Sequence, residues 1–174
     1  MVNIHRIVQL MQEHQVASSQ DLVGVAAPEI LHMQKRLNIQ FPLSYRLFLQ
    51  NFGRSAGGLS PWRAIYFDDL IEIREDFNER LARLNQPFEV PAEALVIAQA
   101  EDLFDYLFCD GSEDPPVYRI SLLQDCAFCE PCAPAFSVYL EDLVVASDGD
   151  EWLDDLAGED TYSAAQCSGE EDIL

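Results

Sequence analysis

Three cysteines with metal-ligand spacing are the residues best suited to chemistry. They are Cys126, Cys129 and Cys132 in the run CAFCEPC. Thiolates at this spacing bind zinc or iron–sulfur clusters, and Cys109 or Cys167 would be the fourth ligand. Neither belongs to a second Cys-x-x-Cys pair, no histidine is near in sequence, and the surroundings are acidic. We therefore expect ordinary loop cysteines and no cofactor, with a metal site or a redox-linked disulfide as the alternatives.

Carboxylates are the second group of side chains that could bind a ligand, and three of them lie in the turn DGSEDPP. They are Asp110, Glu113 and Asp114, between two apolar runs. A calcium loop needs alternating oxygen ligands and a distal glutamate, which this turn lacks. We interpret the turn as the tip of a β-hairpin with a negatively charged surface.

Catalytic patterns are otherwise missing from the sequence. The three histidines, His5, His14 and His32, lie in the N-terminal segment, where we expect solvent-facing or capping roles. No phosphate-binding glycine loop, nucleophile elbow or metalloprotease helix is present. The sequence predicts a protein that is not an enzyme.

The charge is strongly negative and unevenly distributed. The 174 residues carry 31 Asp and Glu against 10 Lys and Arg, a formal charge of −21. Residues 120–174 hold 14 of the acids and no base. Such a surface repels phosphate, so we expect neither nucleic acid nor an anionic membrane as a partner.

The sequence also suggests where the protein acts. It shows no secretory leader pattern and no apolar run of membrane-spanning length. Its five cysteines cannot all pair within one chain, which favours a reducing compartment. We expect a cytoplasmic protein, and the sequence leaves its oligomeric state open.

One helix anchors the predicted fold, in the stretch LNIQFPLSYRLFLQNFG from residue 37 to 53. Proline suits a first helical turn, and a final glycine suits a left-handed C-cap. Four large apolar residues between them recur at i, i+3, i+4 and i+7, on one helix face. Together with a tryptophan downstream they form the predicted core: Pro42, Tyr45, Phe48, Leu49, Phe52 and Trp62.

The remaining elements follow from periodicity. Helical spacing predicts two helices before the anchor, one after Asp69 and one from Ala135 to Ala146. Aromatic and β-branched runs predict strands at 62–67, 94–98, 105–109 and 117–122. The fold class is α+β, a mostly antiparallel sheet with the N-terminal helices and a closing C-terminal helix packed on it.

The anchor helix also carries a family resemblance. Its pattern of a hydrophobic residue, Pro, Tyr-Arg, Phe-Leu and Asn-x-Gly is similar to the signature helix of the SUKH superfamily. The similarity continues through ALVIAQAEDLFDYLFCDGSEDPPVYRISL and PAFSVYLEDLV, over roughly residues 28 to 146. The domain is therefore expected at 1–147, followed by an acidic extension at 148–174. The cysteine run has no counterpart in the pattern.

The resemblance implies a non-catalytic protein-binding module. Members of this superfamily are most often immunity proteins, each of which neutralises a cognate toxin. Related fungal proteins are regulators of cell-wall synthesis, so a regulatory scaffold is the alternative, beside a metal- or redox-linked protein.

The charge of this chain suits a basic toxin bound through an acidic surface. The predicted contact residues are Asp68, Asp69, Asp110, Glu113, Asp114, Asp148, Asp150, Asp154 and Asp155.

Overall fold

The computed structural model describes residues 3–84, 90–91, 93–123 and 126–148, with residues 123, 126 and 128 described for their backbone only. The helices are α1 (Ile4–Glu13), α2 (Ala27–Leu37), α3 (Leu43–Phe52), α4 (Leu70–Arg83) and α5 (Phe136–Ala146). Two short strands, β1 (Leu22–Val23) and β2 (Ser55–Ala56), pair with each other. The main sheet contains β3 (Ala94–Ala100), β4 (Leu103–Phe108), β5 (Val117–Leu123) and β6 (Cys126–Ala133).

The four strands of the main sheet form an antiparallel meander in sequence order. One face packs on α1, α2, α3 and α5 and forms the larger core. The other face packs on α4, through Ile73 and Phe77 against Phe104 and Ile120. The chain is therefore layered as helices, sheet and one helix, and the predicted α+β class is confirmed. None of the helices in these described parts is long and apolar enough to cross a membrane.

The anchor helix is α3, and its predicted face lies in the core. Tyr45, Phe48, Leu49 and Phe52 are at most 1% exposed, and Pro42 precedes the helix as a buried residue. The rings of Tyr45 and Phe48 contact Phe136, which joins α3 to α5.

The predicted left-handed cap at Gly53 is wrong. Gly53 has φ −65°, which any residue adopts, so its backbone angle does not require glycine. Glycine is required here because there is no space for a side chain. A Cβ would lie 2.5 Å from the Leu49 backbone oxygen and 2.8 Å from Val25 Cγ2. The glycine lets the segment before α2 approach the end of α3, where Val25 N donates to the Leu49 oxygen (2.9 Å).

The predicted strand at 62–67 is also wrong. Only Ala64 pairs there, in a single antiparallel bridge to Gln99, and the chain then enters a 3-10 turn at Phe67–Asp69. The side chain of Arg63 turns inward and pairs with the buried Asp105, while the backbone keeps only that one bridge to the sheet. Trp62 is 36% exposed, so its assignment to the core is incorrect.

The segment CAFCEPC is a strand and not the predicted loop. It forms most of β6, the edge strand beside β5. Pro131 has no N–H to donate, which an edge position tolerates. The register shifts opposite Val117 and Tyr118, which leaves Cys132 without a partner residue on β5.

Candidate functional site

The acidic hairpin loop, residues 109–116 between β4 and β5, is held at the N-terminal ends of α3 and α5. The Ser44 N–H donates to the backbone carbonyl of Glu113 (2.9 Å), and the Phe136 N–H donates to the backbone carbonyl of Pro115 (2.8 Å). The first amides of a helix have no partner within the helix, so these contacts satisfy groups that would otherwise be open. The loop backbone is therefore fixed by the fold.

The three carboxylates of this loop have different surroundings. Asp114 accepts hydrogen bonds from the Ser137 N–H (3.0 Å) and the Ser137 hydroxyl (2.6 Å), so it caps α5. Asp110 accepts one from the Ser112 N–H (2.9 Å) and is exposed, and the Glu113 side chain is exposed. Only Asp110 and Glu113 present their carboxylates mainly to solvent.

Asp68 and Asp69 lie at the other end of α3. The Phe67 N–H donates to the Gly53 oxygen (2.8 Å), which places the 3-10 turn at the C-terminal end of that helix. Asp68 pairs with Arg54 (2.7 Å), and its charge is the main reason that the pKa of Arg54 is raised. Asp69 accepts a hydrogen bond from the Tyr66 N–H (3.1 Å) and therefore closes the turn.

Asp148 lies at the C-terminal end of α5, beside His14 of α1. The His14 Nδ1 and Asp148 Oδ2 are 2.6 Å apart. Asp150, Asp154 and Asp155 fall outside the described residues. At about 1.5 Å per residue, α3 and α5 each separate their ends by roughly 15 Å, so those predicted acids that the structure describes do not lie in one patch.

A buried ionic cluster was missed from the sequence. Asp105 of β4 is 0% exposed and binds Arg63 (2.5 Å) and Arg119 Nε (2.7 Å). It also accepts a hydrogen bond from the Tyr139 hydroxyl (2.8 Å). Burial and the neighbouring Asp105 charge raise the pKa of Tyr139, and the hydrogen bond to Asp105 raises the pKa of Arg119.

The Asp105 cluster connects three parts of the fold. Arg63 comes from the segment before α4, Arg119 from the opposite position on β5 and Tyr139 from α5. A single acid inside the apolar run LFDYLF, and a single base inside VYRISL, were the available signals. The sequence does not specify the strand register that places Asp105 opposite Arg119.

Of the cysteines whose side chains the structure describes, Cys129 and Cys132 lie on opposite faces of the sheet and do not share one ligand set. The Cys129 sulfur is 2.9 Å from the Tyr106 hydroxyl, on the α4 side of the sheet, whereas Cys132 packs against the larger core on the opposite side. Burial and Asp110 raise the pKa of Cys109 to about 12, and burial also raises that of Cys132. Both thiols stay protonated near neutral pH, which makes them poor nucleophiles.

The geometry around the histidines agrees with the structural roles expected for them. His5 and His32 are exposed, and His14 is the C-cap residue of α1. Within the described ranges no serine or cysteine hydrogen-bonds to a histidine, and no group of three His, Cys, Asp or Glu side chains is placed to hold a metal ion. Cys167 and the side chain of Cys126 lie outside those ranges.

The sequence matches a known protein family. The family model of the SMI1 / KNR4 family (SUKH-1) matches residues 24–142, which is 119 of the 174 residues and extends from the approach to α2 into α5. No curated protein matches the chain. Because the match covers the signature helix α3, the whole main sheet and most of α5, this chain belongs to the SMI1 / KNR4 family (SUKH-1).

Proposed function

We propose that this chain is a non-catalytic protein-binding module, an immunity protein that neutralises a cognate basic toxin. The acidic hairpin loop is the proposed contact surface. The observation that carries this is the exposure of Asp110 and Glu113 on a backbone fixed by α3 and α5. A surface ordered before binding loses little conformational entropy when a partner arrives.

Charge favours the same surface. The backbone carbonyl of Glu93 accepts a hydrogen bond from the Cys109 N–H (2.8 Å), which places this exposed residue as a third acid at the same end of the sheet. Within the described chain, neither Asp110, Glu113 nor Glu93 has a Lys or Arg within ion-pair distance. Unpaired acids attract a cationic partner over about 8 to 10 Å at physiological salt.

A basic partner is the proposed target because toxins that act on phosphate-containing substrates need positive charge. An acidic protein of this kind associates rapidly with such a toxin and covers the surface that binds the substrate.

The test is the association rate with a toxin or other cationic partner that co-purifies with the chain. The Asp110→Asn, Glu113→Gln variant should associate more slowly than the wild type, and the difference should shrink as salt rises. The matched control is Glu72→Gln, Glu75→Gln, which removes the same charge from the exposed side of α4. Equal slowing by both pairs would show that only net charge matters, and no slowing would place the interface elsewhere.

A further inference from the structure

An open groove lies between α2 and the 3-10 turn. Its volume is about 310 Å3. Met33 and Phe67 are its buried apolar components, at 9% and 6% exposure. The lining residues are Pro28, Glu29, His32, Met33, Arg36 and Phe67.

Arg36 lines the groove and Lys35 precedes it in α2, and neither base has an ion pair with a described residue. Six arginines of the chain pair with carboxylates in the described parts: Arg6, Arg54, Arg63, Arg80, Arg83 and Arg119. Arg46 and Arg74 are half-buried. Lys35 and Arg36, next to each other in α2, are exposed and have no described carboxylate within ion-pair distance. In a chain of charge −21, a free basic pair beside an apolar groove suits an acidic occupant.

The chain contains a segment of that composition. Residues 149–174 have nine acids and no base. Trp152, Leu153 and Leu156 occur early in this segment, with the acidic pairs 150–151 and 154–155 around them. A tryptophan and two leucines among acids would match the apolar part of the groove and the adjacent Lys35 and Arg36, since Glu29 of the lining is paired with Arg54.

The segment also begins close enough to reach the groove. The Ser60 N–H donates to the Ser147 hydroxyl (2.9 Å), so the end of α5 lies beside Ser60. Phe67 is seven residues from Ser60, at most about 25 Å along an extended chain. Trp152 and Leu156 are five and nine residues beyond Ser147 and can extend about 17 and 31 Å, so the segment spans even this upper limit by Leu156.

We propose that residues 150–156 bind the α2 groove of the same chain. Trp152, Leu153 and Leu156 cover Met33 and Phe67, and the neighbouring carboxylates pair with Lys35 and Arg36. The groove is then an intramolecular docking site for the acidic extension. This assignment is independent of the toxin and of the acidic hairpin loop.

Tryptophan fluorescence of the full chain tests the proposal. Trp62→Phe leaves Trp152 as the single tryptophan, because the chain has two. We expect a blue-shifted emission and slower quenching by acrylamide than in a synthetic peptide of residues 148–174. Adding Lys35→Glu and Arg36→Glu should return both values to those of the peptide.

The matched control is Arg6→Glu with Arg83→Glu in the same background. Both residues are exposed, neither lines the groove, and the net charge changes equally. This control should keep the blue shift. The neutral pair Lys35→Gln, Arg36→Gln repeats the test with half the charge change if the reversal unfolds the chain.

Three results would overturn the proposal. The first is peptide-like emission in the Trp62→Phe chain itself. The second is an equal loss of the shift in the control, which would indicate general repulsion of the segment. The third is a shift that disappears on dilution, since the groove would then hold the segment of a second copy.

Discussion

Asp105 and the acidic hairpin loop contain the same chemical group in opposite surroundings. Asp105 is fully buried and has two arginines and a tyrosine hydroxyl as partners. Asp110 and Glu113, only a few residues later, are exposed and have no described base within ion-pair distance. These acids are close together in the sequence, but their surroundings differ. The strand register buries Asp105, whereas the turn exposes Asp110 and Glu113.

The difference indicates which acids are available to a partner. A buried carboxylate whose partners come from three elements stabilises the fold, since its desolvation must be offset by those partners. An exposed acid on a fixed backbone is hydrated, adds little to folding and keeps its charge for binding. Of the predicted contact residues, this favours Asp110 and Glu113 over Asp114, which caps α5.

Removal of the Asp105 carboxylate should have the largest effect. Asp105→Ala leaves two arginine charges and the Tyr139 hydroxyl without their partner, and should lower the free energy of unfolding by about 3 to 5 kcal/mol. Urea denaturation measures it. Asp105→Asn, which keeps the size and one acceptor, should lose less. Loss of under 1 kcal/mol in both variants would show that the cluster is not needed for folding.

Replacement of Phe48 or Leu49 measures how much a buried apolar side chain adds to the free energy of unfolding. Phe48→Ala or Leu49→Ala should cost about 2 to 5 kcal/mol through lost burial and the cavity left behind. Both side chains are 0% exposed. An unchanged urea midpoint in both would mean that the α3 face is not in the core.

The helices could be predicted because apolar spacing alone specifies them. The anchor α3, the helix α4 and the closing helix α5 follow the sequence pattern. The strands around the acidic hairpin loop were found for the same reason, because two apolar runs flank a turn.

The errors occur where a distant contact overrides local composition. The segment 62–67 has strand-like residues, yet it makes a single bridge to β3, and Arg63 pairs with the buried Asp105. The strand β6 has mixed composition and a proline, and only pairing with β5 defines it. The Asp105 cluster depends on register and tertiary packing, which the spacing of residues along one chain does not specify.

Asp114 should show an effect between those of Asp105 and the exposed acids. Asp114→Ala removes the cap of α5 and should cost about 0.5 to 2 kcal/mol. Thermal unfolding measures the loss. Ser137→Ala removes the hydroxyl donor but leaves the N–H, so it should cost less. If Asp114→Ala were as stable as wild type, Asp114 would belong with the exposed acids.

Asp110 and Glu113 should have the smallest effect on stability. The Asp110→Asn, Glu113→Gln variant should unfold within about 0.5 kcal/mol of wild type, because neither side chain has a described ionic partner in the fold. Asparagine keeps an oxygen acceptor for the Ser112 N–H, so the turn is retained. The measurement is urea denaturation at low and at high salt. In a protein of charge −21, lower repulsion should offset any small loss, and more so at low salt. A loss above 1 kcal/mol would show that these acids stabilise the loop, and the contrast with Asp105 would then be one of degree only.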